Sequence, residues 1–386
     1  MHMQNFTTKK YLRPPRLTLL LLAIIILIPA GEVFAQEKKK KKKKKVEHFE
    51  LRVGLNLYYD NNILKYSEKY LDRFMNGEDE GRFSDIETYD DLIINPSLEG
   101  IYTFNIFKKL KTKINASLSP RFYAVNDIKN WEYYGIGLQQ YITKRAFIKI
   151  LYSYIPEFYV RKFRDDAWVD VFGYVPITFQ PYIFSKDSYG AYIQNTFWKG
   201  TRVRLSLFHA RYYHNEWYTE YNSKDWLYGI NLYQRIHKNF RLEASYDYYT
   251  SDAKGYDAAY QTPETTTGPD ATFVEDRFSF GFDWRLPKLA KRKNDLKVEF
   301  NYLMRYYSSP YTPIEDPLHA GRVDANYRLF FTYHIDLFKD FDVSVYYNWL
   351  MRDSRTESPI NSEYVSDEKD YRDDVFGLKL RYSIKF

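Results

Sequence analysis

The sequence predicts an all-β chain, an up-and-down antiparallel transmembrane β-barrel of about fourteen strands, with twelve and sixteen as the alternatives. Three observations predict it. Apolar residues recur at every second position along most of the chain, the period that gives a strand one apolar and one polar face. The 386 residues include 40 Tyr, 28 Phe and 7 Trp and are 19% aromatic, yet 28% of them are charged. A soluble chain this aromatic would be adhesive unless its rings had an apolar medium to face. Finally, short and long connections alternate between the apolar-periodic segments.

The first strand reads FELRVGLNLYY, in which Phe49, Leu51, Val53, Leu55, Leu57 and Tyr59 alternate with Glu50, Arg52, Gly54, Asn56 and Tyr58. The same scheme places strands near 92–106, 113–125, 133–143 and 147–159. The sixth and seventh, near 188–198 and 201–213, are joined by WKGT, a tight Gly-bearing turn. The rest fall near 226–236, 240–250, 277–286, 296–307, 325–335, 341–352 and 371–386.

Connections after even strands are short, such as FKKLK, TKRA, HKN and DLFKD, whereas those at 60–91, 160–187, 251–276, 308–323 and 353–370 are long and polar. An even strand number with turns at one end and loops at the other is what an up-and-down barrel requires. The stretch WVDVFGYVPITF within 160–187 could add a hairpin, which would make the count sixteen.

Strand number also decides which face points outward. About eight strands already enclose a space that side chains fill, so fourteen apolar-lined strands would surround an unfavourable void. The reverse arrangement gives a lipid-facing belt and a wet, charged lumen. After residue 35 no apolar run approaches the roughly 18 residues of a membrane helix.

The N-terminus carries Lys9, Lys10, Arg13 and Arg16 ahead of an apolar run from Leu17 to Ile28, then Pro29 and a small residue at Ala35. This predicts a signal peptide over 1–35, cleaved after Ala35. Residues 36–47, with lysines from Lys38 to Lys45, read as a disordered tail on the periplasmic side, and 48–386 as the barrel. The formal charge of +7 becomes +4 once four basic residues and one acidic residue leave with the signal peptide, and the lysine run accounts for eight of the remaining positive charges. The basic balance belongs to a tail, so no nucleic-acid partner is expected. With no Cys, the chain has neither a disulfide nor a lipoprotein acceptor.

The chain ends FGLKLRYSIKF, with Phe376, Leu378, Leu380, Tyr382, Ile384 and Phe386 on one parity and Gly377, Lys379, Arg381, Ser383 and Lys385 on the other. A final aromatic preceded by Ile384 and Tyr382 resembles the C-terminal strand signal of bacterial outer-membrane β-barrel proteins. That resemblance implies that Tyr382, Ile384 and Phe386 address the barrel-assembly machinery. It also implies an outer-membrane location among lipid and lipopolysaccharide, with short periplasmic turns and long extracellular loops.

If the apolar set faces lipid, the lumen receives Arg52, Glu99, Arg121, Arg241, Glu243, Arg277, Asp283, Arg285, Lys297, Glu299, Arg305, Arg328, Arg352 and Arg381, together with Tyr58, Tyr123, Tyr249, Tyr307 and Tyr346. Opposed cations and carboxylates make hydrated walls that admit polar solutes, and Tyr rings stack on sugar faces. The function expected is a porin-like passive channel for small hydrophilic solutes, sugars or anions. The alternative is a plugged barrel in which those charges satisfy one another and the loops act in adhesion or structure.

The remaining alternative is an outer-membrane enzyme of lipase or protease type. None of His48, His209, His214, His237, His319 and His334 has a Ser two places on, so such a site would have to be an acid/His pair built by loops, at His214 at an outer strand end or His319 in a loop. No metal-ligand spacing stands out, and no cofactor is expected. The first long loop concentrates Glu78, Asp79, Glu80, Asp85, Glu87, Asp90 and Asp91 without ordered ligand spacing, and reads as a solvated acidic loop. The segment 260–273, rich in Thr, Pro and Gly, reads as a mobile loop.

Overall fold

The computed structural model describes residues 48–386 apart from 108–109, 199, 258–260, 263–265 and 267–268. The expected signal peptide and Lys-rich tail lie outside the described residues.

The alternating segments form one antiparallel sheet: β1 (His48–Asp60), β2 (Asp91–Phe107), β3 (Leu110–Leu118), β4 (Phe122–Tyr123), β5 (Tyr134–Tyr141), β6 (Ala146–Arg164), β7 (Phe179–Thr196), β8 (Thr201–His214), β9 (Ser223–His237), β10 (Phe240–Ala253), β11 (Phe273–Arg285), β12 (Asn294–Tyr307), β13 (Arg322–Phe338), β14 (Phe341–Thr356) and β15 (Tyr371–Lys385). Each pairs with its neighbours in sequence except β4, which pairs with β2 while β3 pairs with β2 and β5, and β1 pairs with both β2 and β15, which closes the sheet. The closing register runs from Glu50↔Lys385 to Asp60↔Val375. Phe386 N–H donates to the Phe49 carbonyl at 2.9 Å, and the two rings lie 5.7 Å apart. Closure leaves no strand edge to seek another chain.

β3 and β4 are one strand with a gap, so the wall has fourteen strands. Both pair with β2 in a continuous register, Leu98↔Leu118 and Ile94↔Phe122. That register sets Pro96 opposite Pro120, and neither has an N–H to give the ladder. The Asn95 amide fills the gap, donating to Ser119 Oγ at 2.8 Å and to the Pro120 carbonyl at 2.7 Å.

The stretch that could have added a hairpin lengthens one instead. β6 continues to Arg164 and β7 begins at Phe179. Between them Asp165 accepts a hydrogen bond from Trp168 N–H at 3.1 Å, an N-cap that starts the helix α3 (Asp166–Phe172). Sixteen strands are thereby excluded.

The first long loop is folded as well. Ser67 caps the helix α1 (Glu68–Met75), and a single turn α2 (Glu80–Phe83) follows. Ile63, Leu64, Tyr66, Tyr70, Phe83 and Ile86 bury themselves against Ile93 of β2 and Tyr159 of β6. The loop is acidic on its surface and apolar at its centre, which corrects the expectation of a merely solvated segment. The last loop carries the helix α4 (Ser362–Lys369).

Candidate functional site: the charged lumen

Strand parity sorts the wall into two environments. The outer set is exposed although apolar, for example Ile150 at 57%, Phe280 at 55% and Phe376 at 56%. Near the loop end three outward tyrosines repeat one diagonal arrangement across neighbouring strands. Tyr152 donates to Asp187 at 2.6 Å, Tyr246 to Asp276 at 2.6 Å and Tyr347 to Asp374 at 2.5 Å. A ring in hydrocarbon with its hydroxyl on a carboxylate marks a boundary between lipid and water.

The architecture is that of a transmembrane β-barrel. All fourteen predicted lumen residues lie on the inward parity of their strands, with Arg121 in the gap between β3 and β4. Depth then separates them.

At the loop end the inward charges are packed and paired. Glu275 is 1% exposed and accepts from Arg305 at 2.8 Å and from Arg277. Arg322 grips Asp324 at 2.8 Å with both groups buried. Arg352 donates to Asn326 at 3.1 Å, and Lys65 bridges Asp60 at 3.0 Å and Asp373. Arg305 and Arg352 therefore face inward without lining open water.

The loops close over this layer. Arg82 of the first loop meets Glu368 of the last at 3.0 Å, and Tyr70 donates to the same carboxylate at 2.6 Å. From β6, Arg161 reaches the carbonyls of Leu64 at 3.1 Å and Glu368 at 3.4 Å, so one guanidinium ties both loops. Lys129, in the turn between β4 and β5, donates to the Val160 carbonyl at 2.8 Å. Burial would raise the Glu368 carboxyl, but Arg82, Lys369 and Tyr70 outweigh it and hold the group at about 2. Burial, reinforced by the positive charges of Lys65 and Arg161, lowers the Lys129 ammonium to about 7.

At the turn end the inward charges are wetter and unevenly matched. Arg52 contacts Glu50 at 2.8 Å and Glu99 at 3.0 Å, Lys297 contacts Glu299 at 2.8 Å, and Arg381 contacts Asp342 at 2.9 Å. Arg241 pairs with Asp283, while Glu243 and Arg285 share the same wall. Arg277, Arg328 and Arg121 occupy middle depth, Arg121 lying 4.1 Å from the centre of the Trp131 ring. Lys113, Lys149, Arg202 and Lys379 also face inward, each with no carboxylate within ion-pair distance among the described residues. Arg204 joins them and donates to Gln194 at 3.0 Å. Lys113, Lys149, Arg202 and Arg204 were passed over in sequence, though the polar parity of FIKILY and RVRLSL marks Lys149 and Arg204, and Lys379 was placed on the polar parity of the last strand without being counted among the lumen residues.

A cavity of about 470 Å³ opens in the turn half, lined by Asn56, Lys297, Glu299, Phe330, Thr332, Ser344, Tyr346, Asn348 and Lys379. Tyr346 lies flat where Gly377 has no side chain; a Cβ there would meet the tyrosine ring at 2.2 Å.

The histidine in the loop before β13 forms a buried pair instead of an open site. His319 Nδ1 meets Asp316 at 2.8 Å, and Ser309 donates to Asp316, also at 2.8 Å. The hydroxyl is thus on the acid and not on the imidazole, the wrong order for activating a nucleophile. Burial lowers the His319 pKa against the pull of Asp316. Among the described residues no group of three His, Asp or Glu is placed to hold a metal.

No protein-family model matches the chain, and no curated protein matches it. Among solved structures, in-vitro folded OmpT, an outer membrane protein of Vibrio cholerae, is 9% identical, over 89% of this chain and 99% of its own, with a TM-score of 0.45. The outer membrane channel DcaP of Acinetobacter baumannii is 11% identical, over 89% and 99%, with a TM-score of 0.43. An anion-selective porin from Comamonas acidovorans is 9% identical, over 88% and 99%, with a TM-score of 0.39. Superpositions this loose carry no argument about what the barrel does; its closure rests on its own strand pairing.

Proposed function

We propose that the protein resides in the bacterial outer membrane and is a passive channel for small hydrophilic solutes, with a preference for anions, whose loop end is closed in the state described here. The inward cations Lys113, Lys149, Arg202, Arg204 and Lys379, with no carboxylate within ion-pair distance among the described residues, carry this reading. A charge removed from water is costly unless paired, so a wall with surplus cations is a wall that stays hydrated. A purely structural plug has no use for them. On this reading the surrounding partners are lipid and lipopolysaccharide, small polar solutes cross the lumen, and Tyr382, Ile384 and Phe386 serve the barrel-assembly machinery.

A second reading is favoured by the closed mouth: a non-conducting surface barrel that acts through its loops. Planar-bilayer recording of residues 36–386 separates the two. The channel reading expects discrete steps, infrequent in the unaltered protein, with a reversal potential in a KCl gradient on the chloride side of zero. Folded, inserted protein that stays silent even after Arg82→Ala loosens the loops would leave only the surface barrel.

A further inference from the structure

The cavity in the turn half contains more than solvent-exposed charge. Lys379 of β15, Asn348 of β14 and Thr332 of β13 project into it, and among the described residues none of the three makes an ion pair or side-chain hydrogen bond. Their strands are adjacent, with Ser344↔Lys379 and Thr332↔Tyr346 fixing the register. An ammonium, an amide and a hydroxyl are therefore displayed across about 10 Å of wall, two strand spacings. Two aromatic surfaces flank them. Phe330 is an inward phenylalanine in a wall otherwise polar at that level, cross-strand from Asn348 and Glu299. Tyr346 lies flat over Gly377 with its hydroxyl committed to Asn56 Oδ1 at 3.0 Å.

Resting on the channel reading, we propose that this cavity is a binding subsite for small sugar acids, polyhydroxylated solutes that carry one carboxylate. The carboxylate meets Lys379, the one inward cation of the cavity without a carboxylate of its own, since Lys297 is held by Glu299. Charge-assisted bonds of this kind are about twice as strong as neutral ones. The hydroxyls meet Asn348 and Thr332, and the apolar face of the sugar ring meets Phe330. A volume of about 470 Å³ accepts a monosaccharide acid with its water and falls within the range of small-ligand sites. A simple anion would use the ammonium alone and leave the amide, the hydroxyl and the aromatic faces idle.

Isothermal titration of the folded full-length barrel in detergent with D-galacturonate, D-glucose and acetate tests this without requiring conduction. The expected order is galacturonate tightest, with glucose and acetate each at least about tenfold weaker, because each lacks one half of the recognition. Lys379→Gln should weaken galacturonate by about tenfold and leave glucose unchanged, and Asn348→Ala should weaken both sugars and leave acetate unchanged. Equal affinity for acetate and galacturonate, or no heat from galacturonate, would overturn the subsite. The two readings also part in the bilayer. Binding by a silent barrel would refute the channel and keep the subsite, and steps that galacturonate never interrupts, from a barrel showing no heat of binding, would do the reverse.

Discussion

In the loop half of the lumen Glu275 is 1% exposed and holds both Arg277 and Arg305; in the turn half Glu299 is 29% exposed, with Lys297 as its cation. Both carboxylates are glutamates on the inward parity; what differs is the cation, two guanidinia against one ammonium, and the surroundings. Folded loops shut water out of the first and leave the second open. A buried carboxylate with two guanidinia is then a structural part that cannot be removed alone, while a hydrated pair is nearly free to come apart. The closed mouth and the wet vestibule are two uses of one alternating pattern.

That contrast can be broken at its strongest point first. Glu275→Ala would strand two guanidinia in the dry half and should cost about 3–5 kcal/mol, whereas Glu299→Ala should cost under about 1 kcal/mol. Urea unfolding followed by tryptophan fluorescence measures both; similar losses would mean that the halves do not differ in hydration. Next, Arg82→Ala leaves Glu368 and Tyr70 without their cation and should free the first and last loops. The expected signs are faster proteolysis within 60–91 and more frequent bilayer openings, with the barrel's own unfolding midpoint little changed.

Acidity should loosen the same mouth in two separate windows. Glu368 has a folded pKa near 2 against an ordinary 4.5, so its contribution is complete above 4.5 and is lost as pH falls through about 2. Lys129 has a folded pKa near 7 against 10.5, so closure draws the neutral amine and strengthens as pH rises from about 7 to 10.5. Lys65, Asp60 and Arg161 face that ammonium and shape its window. Open probability recorded from pH 3 to pH 10 should therefore fall as pH rises. In Lys129→Met the fall below pH 4.5 should persist because Glu368 is intact, while the fall between pH 7 and pH 10 should become shallower, the remainder belonging to Lys369, whose ammonium burial also lowers to about 7.

Smaller effects belong to the wet half and the outer belt. Lys149→Gln with Arg204→Gln should move the reversal potential toward zero and change stability by less than about 0.5 kcal/mol, since hydrated cations are being removed. Tyr347→Phe deletes one hydroxyl bond to Asp374 and should cost about 0.5–1.5 kcal/mol in unfolding.

Period-two alternation needs no knowledge of the fold to read, because the pleat sends neighbouring side chains to opposite faces whatever the strand pairs with. That is why the inward set from Arg52 to Arg381 was legible, along with every strand and the alternation of turns and loops. The folded interior of the first loop was partly legible too: Ile63, Leu64, Tyr66, Tyr70, Phe83 and Ile86 are apolar residues inside a segment read by its acids. The break at Ser119 could have been found from two prolines, but only once Pro96 and Pro120 were known to face each other.

What the sequence determined by itself was the barrel, its parity and the residues offered to the lumen, since these follow from local periodicity. Only the tertiary structure decided which of those residues are dry. Arg82 meets a carboxylate 286 positions away, and Arg161 reaches a carbonyl 207 positions on. Contacts of that separation depend on how closed loops meet across the mouth, and no local pattern of side chains encodes them.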